Sequence, residues 1–118
     1  MRTILAIGGD PSTLTTLGER LKSRDCELSS APLGETGATQ HRAGQWDLVL
    51  VFLPLADLSG AEILSRVLAR DPRQIVVVLG HDGTVPDGAA AFGSGASEYL
   101  STTELNPILD VIDRKSVV

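Results

Sequence analysis

Five short apolar runs alternate with segments of helical periodicity along this chain. Residues 3–7 predict a buried strand. Asp10-Pro11 then opens a helix: the Asp10 carboxylate suits its cap, and Pro11 suits its first turn, where a missing N–H is tolerated. Leu14, Leu17 and Leu21 form one apolar stripe on that helix, with Glu19, Arg20 and Lys22 towards solvent. A weaker strand is expected at 27–31, then a short polar helix at 35–43 closed by Gly44. Residues 48–53, Leu-Val-Leu-Val-Phe-Leu, predict the strongest strand, apolar on both faces. The next helix starts at Ser59 or Asp57, buries Ile63, Leu64, Val67 and Leu68, and stops at Asp71-Pro72. Residues 75–79 predict another strand covered on both faces. A glycine-rich stretch leaves room for a short Ala-rich helix at 87–92, before Gly93 and Gly95. Residues 98–100 predict a short last strand, after which Leu105, Ile108, Leu109 and Ile112 recur at helical spacing. Residues 113–118 are either the last turn of that helix or the start of a helix that runs on.

Five strands separated by helical segments predict an α/β domain with a parallel sheet. The 118 residues fit one domain spanning 1–118. The abrupt end leads us to expect a fragment of a longer multidomain signalling protein. Aromatic residues make up only 3% against 42% hydrophobic, so the core must be built from Leu, Val, Ile and Ala. The net charge of −5 comes with scattered cations, which argues against direct binding of nucleic acid. No apolar stretch approaches a bilayer span, and the first residues enter strand pattern without a leader signature. The expected location is the cytoplasm.

Candidate chemistry is sparse. Cys26 is the single cysteine, so no internal disulfide forms, and a partly buried spectator thiol is expected. His41 and His81 lack Cys or acid at ligand spacing, so both are expected on the surface and no metal site is expected. His81-Asp82-Gly83 reads as a turn, and Trp46 as a cover for the end of the core. Gly8-Gly9-Asp10-Pro11-Ser12 lies between a strand and a helix, where phosphates are often held. It matches neither dinucleotide nor P-loop spacing, so a tight turn is the simpler reading. No nucleophile elbow can be assembled. An enzyme is not expected, nor is a cofactor.

The motifs in order are more telling than any one alone. Ile4-Leu5-Ala6-Ile7 precedes Gly8-Gly9-Asp10-Pro11-Ser12. Trp46-Asp47-Leu48-Val49-Leu50-Val51 leads to Phe52, with Gly60 in the loop beyond. Residues 75–79 follow, and Gly95-Ala96-Ser97-Glu98-Tyr99-Leu100 enters the last strand. Over nearly its whole length the chain resembles the receiver domains of response regulators. The resemblance implies a flavodoxin-like, doubly wound, five-stranded parallel sheet, strand order 2-1-3-4-5, with helices on both faces.

Receivers transfer a phosphoryl group to a carboxylate beside a divalent cation, and a hydroxyl and a lysine read the phosphoryl oxygens. At the matching places this chain has Gly8-Gly9 for the acidic pair, Phe52 for the nucleophile, Gly80 for the hydroxyl and Thr102 for the lysine. Thr103 stands where a proline usually follows. The resemblance thus implies a pseudo-receiver that is not phosphorylated and holds no Mg²⁺, with Phe52 plugging the crevice. Asp10 is expected to cap its helix. Asp57 is either a loop or helix cap or, less simply, a surrogate phosphoacceptor. In the family the aromatic residue at Tyr99 changes orientation when the fourth-strand hydroxyl moves. With Gly80 there, that coupling should be broken, and Tyr99 is either fixed in one state or a packing residue of the edge strand. The implied role is a regulatory, protein-interaction or dimerisation module of bacterial two-component-type signalling. Its face is the fourth helix, fifth strand and last helix, and its partners are proteins or an attached output domain. Residues 99–105 are weakly similar to receivers fused to cyclic-dinucleotide enzymes or kinases. Two other readings stand beside this one: a small-ligand sensor with a cavity lined by Gly8, Gly9, Phe52 and Gly80, and an atypical receiver modified at Asp57.

Overall fold

The structure, a computed structural model, describes residues 2–115. Strands β1 (Arg2–Ile7), β2 (Cys26–Ala31), β3 (Leu48–Phe52), β4 (Val76–Leu79) and β5 (Glu98–Leu100) form one sheet in the order β2-β1-β3-β4-β5. All neighbours are parallel, with Ile4 opposite Leu48 and Val51 opposite Val78. Helices α1 (Pro11–Lys22), α2 (Gly34–Gln40), α3 (Gly60–Arg70), α4 (Val85–Gly93) and α5 (Leu105–Lys115) connect or follow them. This is the flavodoxin-like arrangement. No described helix is long and apolar enough to cross a membrane.

Strand parity divides the interior in two, because successive side chains point to opposite faces of the sheet. Ile4, Ala6, Leu48, Leu50, Phe52, Val77 and Leu79 pack against Leu17 and Leu21 of α1 and Ile108, Val111 and Ile112 of α5. Leu5, Ile7, Val49, Val51, Val76 and Val78 pack against Ala38, Ile63, Leu64, Val67 and Ala91 of the helices on the other face. Phe52 therefore points to the α1/α5 side. Trp46 and Leu68 pack at the margin of the second cluster.

Several expected boundaries move. The second helix runs from Gly34 to Gln40 rather than over 35–43, and Gly44 does not close it. His41 is the C-cap residue, in extended conformation. It is fully buried, not on the surface as expected. Its Nε2 lies 2.8 Å from Gln74 Oε1. The Gln74 amide nitrogen donates to the carbonyls of Trp46 and Ile75. The Gln74 oxygen is thus the acceptor, and His41 carries its proton on Nε2. Arg70 donates to the His41 carbonyl at 3.1 Å. Turning the backbone out of helix at His41 is what lets the ring enter this network.

Cys26 opens β2 and is buried more completely than expected. Burial pushes its thiol above the usual range. The fourth helix starts at Val85, before the expected 87, after a 3-10 turn at Asp82–Thr84. His81 is exposed, and its Nδ1 accepts the Gly83 amide within that turn. Residues 113–115 complete the last turn of α5. The rest of the predicted C-terminal segment, 116–118, lies outside the described residues.

Candidate functional site

The crevice at the C-terminal ends of β1 and β3 is built by three residues that fit only together. Gly8 and Gly9 leave β1 with φ of +78° and +97°, a region that L side chains enter at a cost. A Cβ on Gly8 would fall 2.7 Å from Leu55 Cδ2 and 2.9 Å from the Phe52 carbonyl oxygen. A Cβ on Gly9 would fall 3.2 Å from Cγ and Cδ1 of the Phe52 ring and 3.3 Å from Leu14 Cδ2. Phe52 is 3% exposed. Its ring occupies the approach that a side chain at position 9 would use, and Leu55 with the Phe52 carbonyl occupies that at position 8. Above it lies an open cleft of about 340 Å³, lined by Gly8, Gly9, Asp10, Thr13, Phe52 and Thr103 among others.

Two of the expected site residues do not join this cleft. Thr102 turns its hydroxyl to the Glu104 amide, at 3.1 Å, in the approach to α5. Gly80 ends β4 beneath another side chain. A Cβ on Gly80 would fall 2.1 Å from Thr84 Oγ1, so the Thr84 hydroxyl stands in the space that a side chain at 80 would fill. That hydroxyl lies 3.3 Å from the Tyr99 hydroxyl. Position 80 has no hydroxyl, as expected from its glycine, but another stands beside Tyr99, supplied from the following turn. Thr84 was not foreseen. The only signal was a threonine four residues beyond a glycine at a strand end.

The carboxylates near the crevice serve helix N-termini. Asp10 caps α1, accepting from the Thr13 amide. Its carboxyl is held below the usual range, first by the Ser12 hydroxyl and then by the Thr13 amide. Asp57 does not start α3. Its two oxygens accept the amides of Gly34 and Glu35 at 2.8 and 2.9 Å, so it caps α2 across the fold. These bonds, the Glu35 amide first, hold its carboxyl below the usual range. Helix α3 starts instead at Ser59, in a reciprocal capping box with Glu62. The Ser59 amide and hydroxyl lower the Glu62 carboxyl. The α3 N-terminus also receives Asp87 of α4, which accepts the Gly60 amide at 2.7 Å. Among the described residues no three His, Cys, Asp or Glu side chains are grouped to hold a metal ion.

Beyond the crevice, the exposed side of α4 carries no charge. Val85, Pro86, Ala89, Ala90, Phe92 and Gly93 all face solvent, and Phe92 is 55% exposed. Beside it, Glu98 of the edge strand β5 holds Arg114 through two hydrogen bonds of 3.1 and 3.2 Å. These bonds raise the Arg114 guanidinium further above its already high range.

Residues 4–110 match the family model described as response regulator receiver domain. The cell cycle transcriptional regulator CtrA of Caulobacter vibrioides is 26% identical over 98 residues, covering 83% of this chain and 42% of that protein. The transcriptional regulatory protein GlrR of Escherichia coli is 28% identical over 98 residues, covering 83% of this chain and 22% of that protein. The chain therefore spans less than half the length of the curated relatives it matches. Among solved structures, the non-phosphorylated HemR receiver domain of Leptospira biflexa superposes with a TM-score of 0.87 at 21% identity, covering 100% of this chain and 96% of that one.

Proposed function

This chain belongs to the response regulator receiver domain family, and from that membership we propose that it is a receiver which no longer takes a phosphoryl group. It acts instead as a regulatory protein-interaction module in bacterial two-component-type signalling. One observation carries the reading: Gly8, Gly9 and Phe52 interlock. The positive φ values, the Leu55 side chain and Phe52 carbonyl against position 8, and the Phe52 ring against position 9 all oppose an acidic pair, and Phe52 itself offers no nucleophile. Phosphoryl transfer rests on positioned negative and positive charge, and the crevice holds none of the family's ligands for Mg²⁺. Asp57 is a poor substitute acceptor, since both its oxygens are bound to the amides of α2.

The uncharged side of α4, next to β5 and Tyr99, is the surface we assign to a protein partner. An attached output domain or a second copy of this chain fits its apolar character. The test is an amide NMR titration with Mg²⁺ and beryllofluoride. Resonances of residues 8–10, 52–53 and 80–84 should stay in place. Saturable shifts clustered there would sink the proposal.

The cleft of about 340 Å³ above Phe52 favours a second reading, a small-ligand sensor. Its lining offers apolar Phe52 and Leu55 beside the Asp10 carboxylate and the Thr13 and Thr103 hydroxyls. A screen of small nucleotides and apolar fragments should then give saturable shifts at Gly9 and Thr103. Shifts spread without saturation would remove this alternative.

A further inference from the structure

We propose that Gly80, Thr84, Gly88 and Tyr99 form a latch that holds the start of α4 against β5 in a single state. The partner surface on α4 is then presented whatever happens in the crevice. This deepens the interaction-module reading and rests on it for the role of α4.

The latch follows from two missing side chains and two that fill their places. The space of a Cβ at Gly80 is taken by Thr84 Oγ1. That hydroxyl accepts the His81 amide at 2.9 Å and donates to the His81 carbonyl at 2.8 Å. Its one proton is thus committed, so it meets Tyr99 as an acceptor and the phenol donates, at 3.3 Å. One donation and two acceptances exhaust what a hydroxyl can do. Thr84 is 6% exposed, so no water is needed to complete the set.

The second space is at Gly88. A Cβ there would fall 2.3 Å from Tyr99 Cε1 and 2.4 Å from Cζ. The ring therefore lies directly on the α4 backbone, where only glycine admits it. Tyr99 is gripped at its hydroxyl by Thr84 and along its ring edge by Gly88, four residues further on. Asp87, between them, ties the same turn of α4 to the Gly60 amide. None of the four latch residues lines the cleft above Phe52. The side-chain bonds that grip Tyr99 thus run between the β4–α4 connection and β5, and none of those given for Thr84 or Tyr99 reaches a residue that lines the cleft.

The test compares the chain with its Thr84→Val and Thr84→Ser variants by NMR. The readouts are the Tyr99 χ1 couplings and the nuclear Overhauser contacts from its ring to the Gly88 α-protons. The parent chain should show one rotamer and strong Gly88 contacts, unchanged by Mg²⁺ and beryllofluoride. Valine keeps the shape but removes the hydroxyl, so the couplings should average, the Gly88 contacts should weaken, and the Val85 and Phe92 amides should shift. Serine should preserve the parent pattern. Unchanged couplings and contacts in Thr84→Val would overturn the latch. Should that variant fail to fold, Gly88→Ala decides: expulsion of the ring supports the latch, and a ring still seated on α4 refutes it. A beryllofluoride response at the crevice of the parent chain would instead overturn the non-phosphorylated reading, and the valine comparison would still judge the latch.

Discussion

Replacing Phe52 by Asp restores the residue type that the family uses as nucleophile, yet it should weaken the fold without restoring chemistry. Phe52 is 3% exposed and belongs to the core between the sheet, α1 and α5. Truncating such a ring to Ala costs about 3–5 kcal/mol, through lost transfer energy and the cavity left behind. Aspartate adds a carboxyl beside Gly9 in a cleft whose lining has no Lys or Arg, and a buried polar group left short of partners costs about 1–3 kcal/mol more. The adjoining cleft lets water reach part of the carboxyl, so the total should lie near 4–6 kcal/mol, a large share of the ~5–15 kcal/mol that holds a domain together. Urea denaturation reads this directly. With a slope of about 1.5 kcal/mol/M, a loss of 4 kcal/mol lowers the midpoint by roughly 2.5 M. Phe52→Ala is the control that separates ring from charge. Burial raises the pKa of the new carboxyl in the folded state, so folding takes up a proton as pH falls. The gap between the Asp and Ala variants should therefore narrow from pH 7 to pH 5. Acetyl phosphate should leave no acyl phosphate on Phe52→Asp in mass spectra. A loss under about 1 kcal/mol, or a phosphorylated variant, would refute the claim that the ring, not a vacant acceptor site, defines this position.

Further outcomes follow from other contacts. Gly9→Ala should cost about 1–2 kcal/mol for its left-handed backbone, and less in a Phe52→Ala background, where the 3.2 Å ring contact is gone. A double-mutant cycle additive within about 0.5 kcal/mol would deny the coupling. Asp57, with its pKa depressed below the ordinary 3.8, contributes stability that is full above that value and is lost as pH falls through the lower folded value. The melting temperature of Asp57→Asn should thus trail the parent at pH 7 and converge with it in acid, and a constant gap would refute the cap. Gln74→Leu removes the acceptor of the buried His41 Nε2–H and the donor to the Trp46 carbonyl, so a loss of about 1–3 kcal/mol is expected in thermal or urea unfolding. Phe92→Glu should leave stability within about 0.5 kcal/mol, because the ring is exposed, but should abolish any concentration-dependent self-association seen by sedimentation velocity. Association that survives the charge would place the contact elsewhere.

The sheet was legible because parallel strands covered on both faces leave unbroken apolar runs, and residues 48–52 and 76–79 are such runs. Asp10 and Pro11 were legible because their partners lie within one helical turn. What escaped was bonding between distant parts of the chain. Asp57 has the composition of a cap, but its helix begins 23 residues earlier, so sequence order pointed to α3 instead. His41 meets Gln74 across 33 residues, and nothing in the spacing of one histidine and one glutamine shows that pairing. The second helix ends before the expected residue 43 for the same reason: the departure at His41 answers to a tertiary partner, not to a local stop signal. Thr84 escaped because its role is defined by a side chain that Gly80 lacks.

The helix caps also bear on why the crevice should be quiet towards anions. In a doubly wound sheet, each helix that follows a strand begins at the strands' C-terminal end, and its free amides and dipole favour negative charge there. Here Asp10 accepts the Thr13 amide of α1, Asp57 the Gly34 and Glu35 amides of α2, and Ser59 and Asp87 the Glu62 and Gly60 amides of α3. Carboxylates of the chain itself thus serve these helix ends, and on the proposed reading Gly8, Gly9 and Phe52 stand where the family's cation ligands and nucleophile would be. Restoring one carboxylate therefore adds negative charge to a region whose helix ends already carry carboxylates. On the proposed reading, the loss of phosphoryl transfer is a property of the whole rim, and Phe52 is the part of it that the core holds in place.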